Sequence, residues 1–168
     1  MDDDQFQDLM LQGVSRTFAL TIPQLPGRLH RVVANAYLLC RIADTVEDDP
    51  ALDPSQTSRF SEWLVEITMG EGSAEEFART LEPLLSDSTL PMEHELIRET
   101  PRVLAITHGF SDAQRAELAR CVRIMSRGMA RFQRDASVHG LADLPRLDAY
   151  CYFVAGVVGE CLTGLFCD

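Results

Sequence analysis

The stretch Arg41-Ile42-Ala43-Asp44-Thr45-Val46-Glu47-Asp48-Asp49 decides how this chain is read. Residues three and four apart are neighbours on a helix surface. Arg41 then lies beside Asp44, and Asp44 beside Glu47 and Asp48, so that a guanidinium and three carboxylates share one face. Mg²⁺ prefers oxygen ligands in near-octahedral geometry, commonly one or two carboxylates, several waters and substrate phosphate oxygens. Asp44 and Asp48, with Glu47 beside them, offer such oxygens, and Arg41 can fork onto a phosphate that the metal leaves uncovered. The pattern suits a Mg²⁺-bound diphosphate. Carboxylates crowded together repel one another, and a cation relieves that cost.

Acid spacing alone is weak, because a chain this acidic produces about four acid-x-x-x-acid pairs by chance. Asp4/Asp8, Asp49/Asp53, Glu62/Glu66, Glu71/Glu75 and Glu95/Glu99 all show it, and these five read as solvated faces or loops. Asp44/Asp48 differ in what precedes them. Leu29, Val32, Val33, Ala36, Tyr37, Cys40 and Ala43 recur at helical period, which predicts a packed helix from about Leu29 to Asp48 with its acids at the end of an apolar stripe. Pro50 and Pro54 stop it. A cation is further favoured at a helix C-terminus by about 0.3–1 kcal/mol.

The remaining periodicity is helical throughout, and no convincing strand or internal repeat occurs. A first helix is expected around Asp8 to Ala19, broken by Pro23 and Pro26. Pro54 and Ser55 open another, with Phe60, Trp63, Leu64 and Ile67 on its buried side, and Gly70 to Ser73 end it. Helices follow near Ala74 to Leu85 and Pro91 to His108. Ser111 and Gln114 form a capping box for a long amphipathic helix carrying Leu118, Cys121, Val122, Met125, Met129 and Phe132. A last helix begins after Pro145. It contains Gly156, Gly159 and Gly164, each costing about 1 kcal/mol relative to alanine, so either tight helix packing or a close-lying ligand must compensate.

At 168 residues and 46% hydrophobic, the chain can bury one sizeable core and is read as a single domain over residues 1–168. A net charge of −11 argues against nucleic-acid binding, since no basic stripe exists to neutralise phosphates. An acidic chain can still bind a diphosphate if Mg²⁺ mediates. Five cysteines without zinc-like spacing, and an N-terminus lacking a signal peptide, point to reduced cytoplasmic thiols acting as small hydrophobes. No run is expected to reach the length of a membrane span. His30, His94, His108 and His139 are scattered and read as surface or capping residues, Trp63 as core, and Tyr37 and Tyr152 as core or surface.

Three segments carry a family resemblance. Ser15 to Pro26, S-R-T-F-A-L-T-I-P-Q-L-P, followed by Ala36 to Asp49, A-Y-L-L-C-R-I-A-D-T-V-E-D-D, resembles the squalene and phytoene synthases. Tyr150 to Glu160, Y-C-Y-F-V-A-G-V-V-G-E, is similar to that family's Y-C-x-x-V-A-G-x-V-G signature, and Met125 to Phe132, M-S-R-G-M-A-R-F, is similar to squalene synthases in particular. The resemblance implies the all-α isoprenoid-synthase helical bundle. It implies head-to-head condensation of two farnesyl diphosphates through a cyclopropyl intermediate, presqualene diphosphate, then NADPH reduction to squalene. A phytoene or dehydrosqualene synthase, or a non-catalytic assembly protein of the family, is the alternative.

The resemblance also assigns roles. Tyr150 is the active-site tyrosine. Ser15, Arg16, Thr17, Phe18, Arg41, Val154, Gly156 and Val158 contact substrate, with Ala155 part of the same wall. Arg16 and Arg41 hold diphosphate or NADPH phosphates. Asp44, Glu47 and Asp48 hold Mg²⁺, with Mn²⁺ as a substitute. The family's second aspartate-rich motif lies downstream of the tyrosine motif, and this chain ends at Asp168 without it. The expectation is therefore the N-terminal part of the bundle, with a core open on one side and self-association through the exposed patch. Asp4/Asp8 does not replace the motif, lying in an N-terminus expected to fray. A lipid product leaves peripheral membrane contact open.

Overall fold

The computed structural model describes residues 1–134 and 140–167; His139 and Asp168 lie outside the described residues. The fold is all-α, with no strand among them. The elements are α1 (Asp3–Val14), α2 (Phe18–Thr21), α3 (Gly27–Asp48), α4 (Pro54–Thr68), α5 (Ala74–Leu81), α6 (Pro91–Arg98), α7 (Thr100–His108), α8 (Asp112–Arg134), α9 (Leu144–Cys151) and α10 (Val157–Cys167). A π-helical segment, Tyr152–Gly156, joins the last two.

α3 is the central helix, contacted by α1, α4, α6, α7, α8 and α10. Val32, Ala34, Leu38, Leu39, Ile42 and Val46 on it are fully buried. Its apolar residues extend round most of the circumference, as expected of a helix enclosed by others. Asn35, also fully buried, links it to α7: its Nδ2 donates to the Val103 carbonyl at 3.0 Å, and its Oδ1 accepts from the Thr107 hydroxyl at 2.8 Å. Both polar ends are thereby satisfied.

Several expected boundaries shift for local reasons. The first helix starts at Asp3, not near Asp8, because Asp2 and Gln5 form a capping box. It is docked rather than frayed. Phe6 is buried beneath the Arg102 guanidinium, Asp3 pairs with Arg31 and Arg102, Asp4 with Arg31, and Asp8 with His30 at 2.8 Å. The helix near residues 74–85 gives way to a 3₁₀ turn at Glu82. The one expected over 91–108 divides at Glu99, because Pro101 has no N–H to continue the ladder. Asp53 with Gln56, and Ser111 with Gln114, make the capping boxes of α4 and α8.

The C-terminal region corrects one expectation outright. Leu144–Cys167 is a continuous helix, long and apolar enough to cross a membrane by length and composition, and only 17% of its most apolar window is buried. The π segment Tyr152–Gly156 lies within it and ends at the first of the three glycines. Cys151 and Cys167 are exposed, whereas Cys121 and Cys161 are buried. Trp63 is half-buried, stacked parallel to Phe60 and edge-on to Phe77.

Candidate functional site

Two volumes meet at α3. One is a polar recess of about 150 Å³ lined by Arg41, Asp44, Thr45, Asp48, Asp49, Pro50, Ser88, Thr89 and Glu93. The other is a cleft of about 500 Å³ between α2, α3, α8 and the C-terminal helix. Its walls are Phe18, Ile22, Val33, Ala36, Tyr37, Leu39, Cys40, Leu118, Cys121, Val122, Met125, Val154, Ala155, Val158, Gly159, Cys161 and Leu162, with Asp44 its one charged member. Asp44 borders both. Part of the apolar stripe that predicts packing, Val33, Ala36, Tyr37 and Cys40, is the cleft wall, while Leu38, Ile42 and Val46 hold α3 in the core.

The acidic face is costly as it stands. Burial pushes the Asp44 carboxyl up to about 6; nearby Arg41 opposes this, and Asp48 and Glu93 add to it. Burial, then Asp48 and Asp44, pushes Glu47 up to about 7. Asp48 rises for the same first reason, against the pull of Arg41. Burial works most strongly against the charge on Arg41, but the bond to Glu93 together with the charges of Glu93 and Asp44 holds its pKa above the ordinary value. Carboxylates kept partly protonated near neutrality are groups that a cation would relieve. Among the described residues no three His, Cys, Asp or Glu side chains converge to enclose a metal by themselves. The carboxylates run along one helix face instead. That set of hard oxygens fits a hydrated Mg²⁺ whose shell is completed by phosphate oxygens.

Tyr150 stands half-buried on α9 with its ring edge-on to Phe132, centroids 5.4 Å apart. Burial raises its phenol above the usual range, and Glu47, Asp48 and Asp44 raise it further. The tyrosine and the acidic face thus share one electrostatic environment. Phe18, 52% exposed, stands at the rim of the cleft with its ring 5.3 Å from Tyr37, whose hydroxyl donates to the Val14 carbonyl. Two of the buried thiols touch: Cys161 is driven far up by its contact with Cys121 and by burial, so it lines the cleft as a neutral group.

Over residues 11–168 the chain matches the squalene/phytoene synthase family. It is a member of that family. Among its relatives, the lycopaoctaene synthase of Botryococcus braunii is 32% identical over 95% of this chain and 33% of its own length. The squalene synthase of Eremothecium gossypii is 30% identical over 93% and 34%. A solved structure of TcSQS with the ligand E5700 superposes with a TM-score of 0.71 at 29% identity, over 98% of this chain and 44% of the other. The chain spans about a third of the length of the curated relatives it matches.

In this squalene/phytoene synthase family member, the structure brings together Arg41, Asp44 and Asp48 at the recess, and Phe18, Val154 and Val158 at the cleft. Glu47, half-buried, lies on the same helix. Others fall elsewhere. Gly156 lines neither volume; a Cβ there would come within 3.0 Å of the Tyr152 ring, so its small size accommodates that ring. The Ser15 hydroxyl accepts from the Phe18 N–H at 3.0 Å and so shapes the start of α2. Arg16 and Thr17 are exposed and line neither volume. Arg16 and Arg41 therefore do not share either volume.

Three contributors escape the sequence reading. Glu93, only 9% exposed, pairs with Arg41. Asp49, expected on a solvated loop, is 5% exposed and accepts from the backbone of Ala51 and Ser86 and from the Thr89 hydroxyl. Gly128 allows Phe153 to lie where its Cβ would be, 2.2 Å from Cγ. Pro91 at the helix start with Glu93 two residues on was the available signal for Glu93, since such a glutamate turns back to the helix cap.

Proposed function

We propose that this chain binds an isoprenoid diphosphate, head in the recess and tail in the cleft, as part of a head-to-head prenyl synthase condensing two farnesyl diphosphates to presqualene diphosphate and on to squalene. The observation that carries this is the position of Asp44 at the junction of a small polar recess and a larger apolar cleft. An amphiphile with a charged head and a long hydrocarbon tail fits that pair of volumes.

Asp44, Glu47 and Asp48 would hold Mg²⁺, which supplies the positive charge that stabilises a departing diphosphate. The protein's own groups do the rest. Arg41 offers charge-assisted bonds to phosphate oxygens that the metal leaves uncovered. The cleft walls keep water from an allylic cation, which water would otherwise trap as an alcohol. The neutral thiols of Cys121 and Cys161 keep that wall uncharged. Tyr150, its phenol held protonated, can donate a proton or a hydrogen bond toward the leaving oxygens, and its ring face stabilises a nearby cation by about 0.5–2 kcal/mol.

The test is Mg²⁺-dependent release of diphosphate from farnesyl diphosphate by the 168-residue chain, with and without NADPH and with the lipid product identified. Squalene formed only with NADPH supports the full reading. A presqualene, phytoene-type or dehydrogenated product restricts it to condensation. Binding of a non-hydrolysable farnesyl analogue without turnover restricts it to substrate binding, and no binding overturns it.

A further inference from the structure

We propose that Glu93 is a positioning residue for Arg41, holding its guanidinium at the edge of the polar recess for a diphosphate instead of letting it fold onto Asp44. This rests on the diphosphate reading above.

Arg41 and Asp44 are three residues apart on α3, the spacing at which a guanidinium settles on a neighbouring carboxylate. Such a collapse would neutralise a carboxylate needed for a cation and remove the donors needed for phosphate. It has not happened. Arg41 Nη1 stands 3.9 Å from Asp44 Oδ2, at the outer limit of an ion pair, while Nη2 donates to Glu93 Oε1. Glu93 reaches in from α6, 52 residues away in the chain, and its carboxylate is anchored twice. Oε1 accepts from Arg41; Oε2 accepts from the Leu90 N–H at 3.2 Å, at the first turn of α6. A carboxylate is favoured there by the unpaired N–H groups and the helix dipole.

The start of α6 is itself fixed to the end of α3. Asp49 accepts from the Ser86 N–H at 3.0 Å and from the Thr89 hydroxyl, so the turn that delivers Glu93 is tied to the residue following the acidic face. Arg41 Nε is buried without a hydrogen-bond partner, and Arg41 lines the recess. Glu93 also lines the recess. The arrangement separates two roles on one helix face: Asp44 and Asp48 keep their oxygens for a cation, and Arg41 keeps donors for an anion.

The experiment uses the full 168-residue chain with E93A, E93Q and E93D, each alone and in an R41K background. Side-chain ¹⁵N NMR reports the Arg41 Nε–H, assigned by its loss in R41K, and calorimetry reports binding of inorganic diphosphate with Mg²⁺. A single misplaced charge-assisted contact corresponds to a loss of about tenfold or more in affinity. E93A is expected to broaden the Arg41 signal and weaken diphosphate binding by about that factor. E93Q and E93D, which keep an acceptor, should restore part of both. In the R41K background E93A should change affinity by less than about twofold, since two residues acting through one contact are not additive. Equal losses in both backgrounds would overturn the proposal, as would an Arg41 signal and affinity untouched in E93A. Should E93A fail to fold, the shape-preserving E93Q carries the same comparison between the two backgrounds, with a smaller loss expected than for E93A. An Arg41 signal governed by Glu93 in a wild-type chain that binds no diphosphate would support the positioning and overturn the diphosphate reading.

Discussion

Cys40 and Asp44 stand one turn apart on α3 and both line the apolar cleft, yet only Asp44 also borders the polar recess. That single turn is where hydrocarbon surroundings give way to charged ones. A ligand spanning the junction places its polar head within reach of Asp44 and its first apolar carbons against Cys40.

Asp44→Asn should therefore remove metal-dependent binding while leaving the fold intact. The amide keeps the shape but not the charge. Loss of an outer-shell partner typically costs metal affinity about 10–100-fold, and loss of a direct ligand is expected to exceed that. Thermal stability without Mg²⁺ should hold or rise, because the substitution removes a carboxylate that burial already disfavours. Calorimetric titration of Mg²⁺ with a farnesyl analogue, beside a melting curve, checks both halves. An unchanged Mg²⁺ requirement in the variant would remove Asp44 from the metal site.

The same carboxylates set a pH dependence. Asp44 sits at about 6 and Glu47 at about 7 in the fold, above the ordinary values of 3.8 and 4.5. Between about pH 4 and 7 the folded chain therefore binds more protons than the unfolded chain, and stability falls as pH rises. Their stabilising contribution is fully present below the unfolded values and is lost as pH passes through the folded ones. Mg²⁺ competes for the same oxygens, so its affinity should climb over that window. Denaturant titrations from pH 4.5 to 8, with and without Mg²⁺, should diverge toward the alkaline end. Parallel curves would mean that the cation binds elsewhere.

Much of this frame was legible in the sequence, for physical reasons that also explain the misses. Period, proline breaks and capping residues are local, so α3, α4 and α8 emerged with nearly their observed limits. Acid spacing likewise put Asp44 and Asp48 on one face, where both line the recess, since a helix fixes which side chains share a face. Glu93 and Asp49 were missed because their partners lie 52 and 37 residues away, and no local pattern announces a pairing at that range. Gly156, read as part of a substrate wall because a missing side chain admits a close neighbour, has the Tyr152 ring as that neighbour, whereas Val154 and Val158 line the cleft. The π segment that turns this part of the helix has no signature in apolar periodicity.

Val158→Trp tests the cleft separately from the recess. Val158 is half-buried and faces the cleft from α10, and an indole there would occupy space that the tail requires. Binding of a farnesyl analogue should weaken by tenfold or more, since burying each methylene contributes about 0.8 kcal/mol. Binding of inorganic diphosphate with Mg²⁺ should stay within about twofold, as for a change outside its contacts. Calorimetry with the two ligands distinguishes the outcomes. Equal losses for both would show that the recess and cleft are not independent parts of one site.

Gly128→Ala tests the contact that seats the tyrosine-bearing helix. A Cβ at Gly128 would lie 2.2 Å from Phe153 Cγ and 2.3 Å from Cδ1, closer than side chains can approach. The ring cannot simply swing away, because it also packs against Phe132 and Tyr152. The π segment must then shift away from α8, at the cost of about 1–3 kcal/mol that overpacking usually carries. Phe132 also supports the Tyr150 ring, so the shift should move Tyr150 relative to the acidic face and reduce turnover or analogue binding along with stability. Adding Phe153→Leu should recover much of the stability by making room, without rebuilding the aromatic contact. Chemical denaturation of the single and double variants measures this. A Gly128→Ala chain as stable as the parent would mean that α8 and the π segment have freedom to separate at no cost.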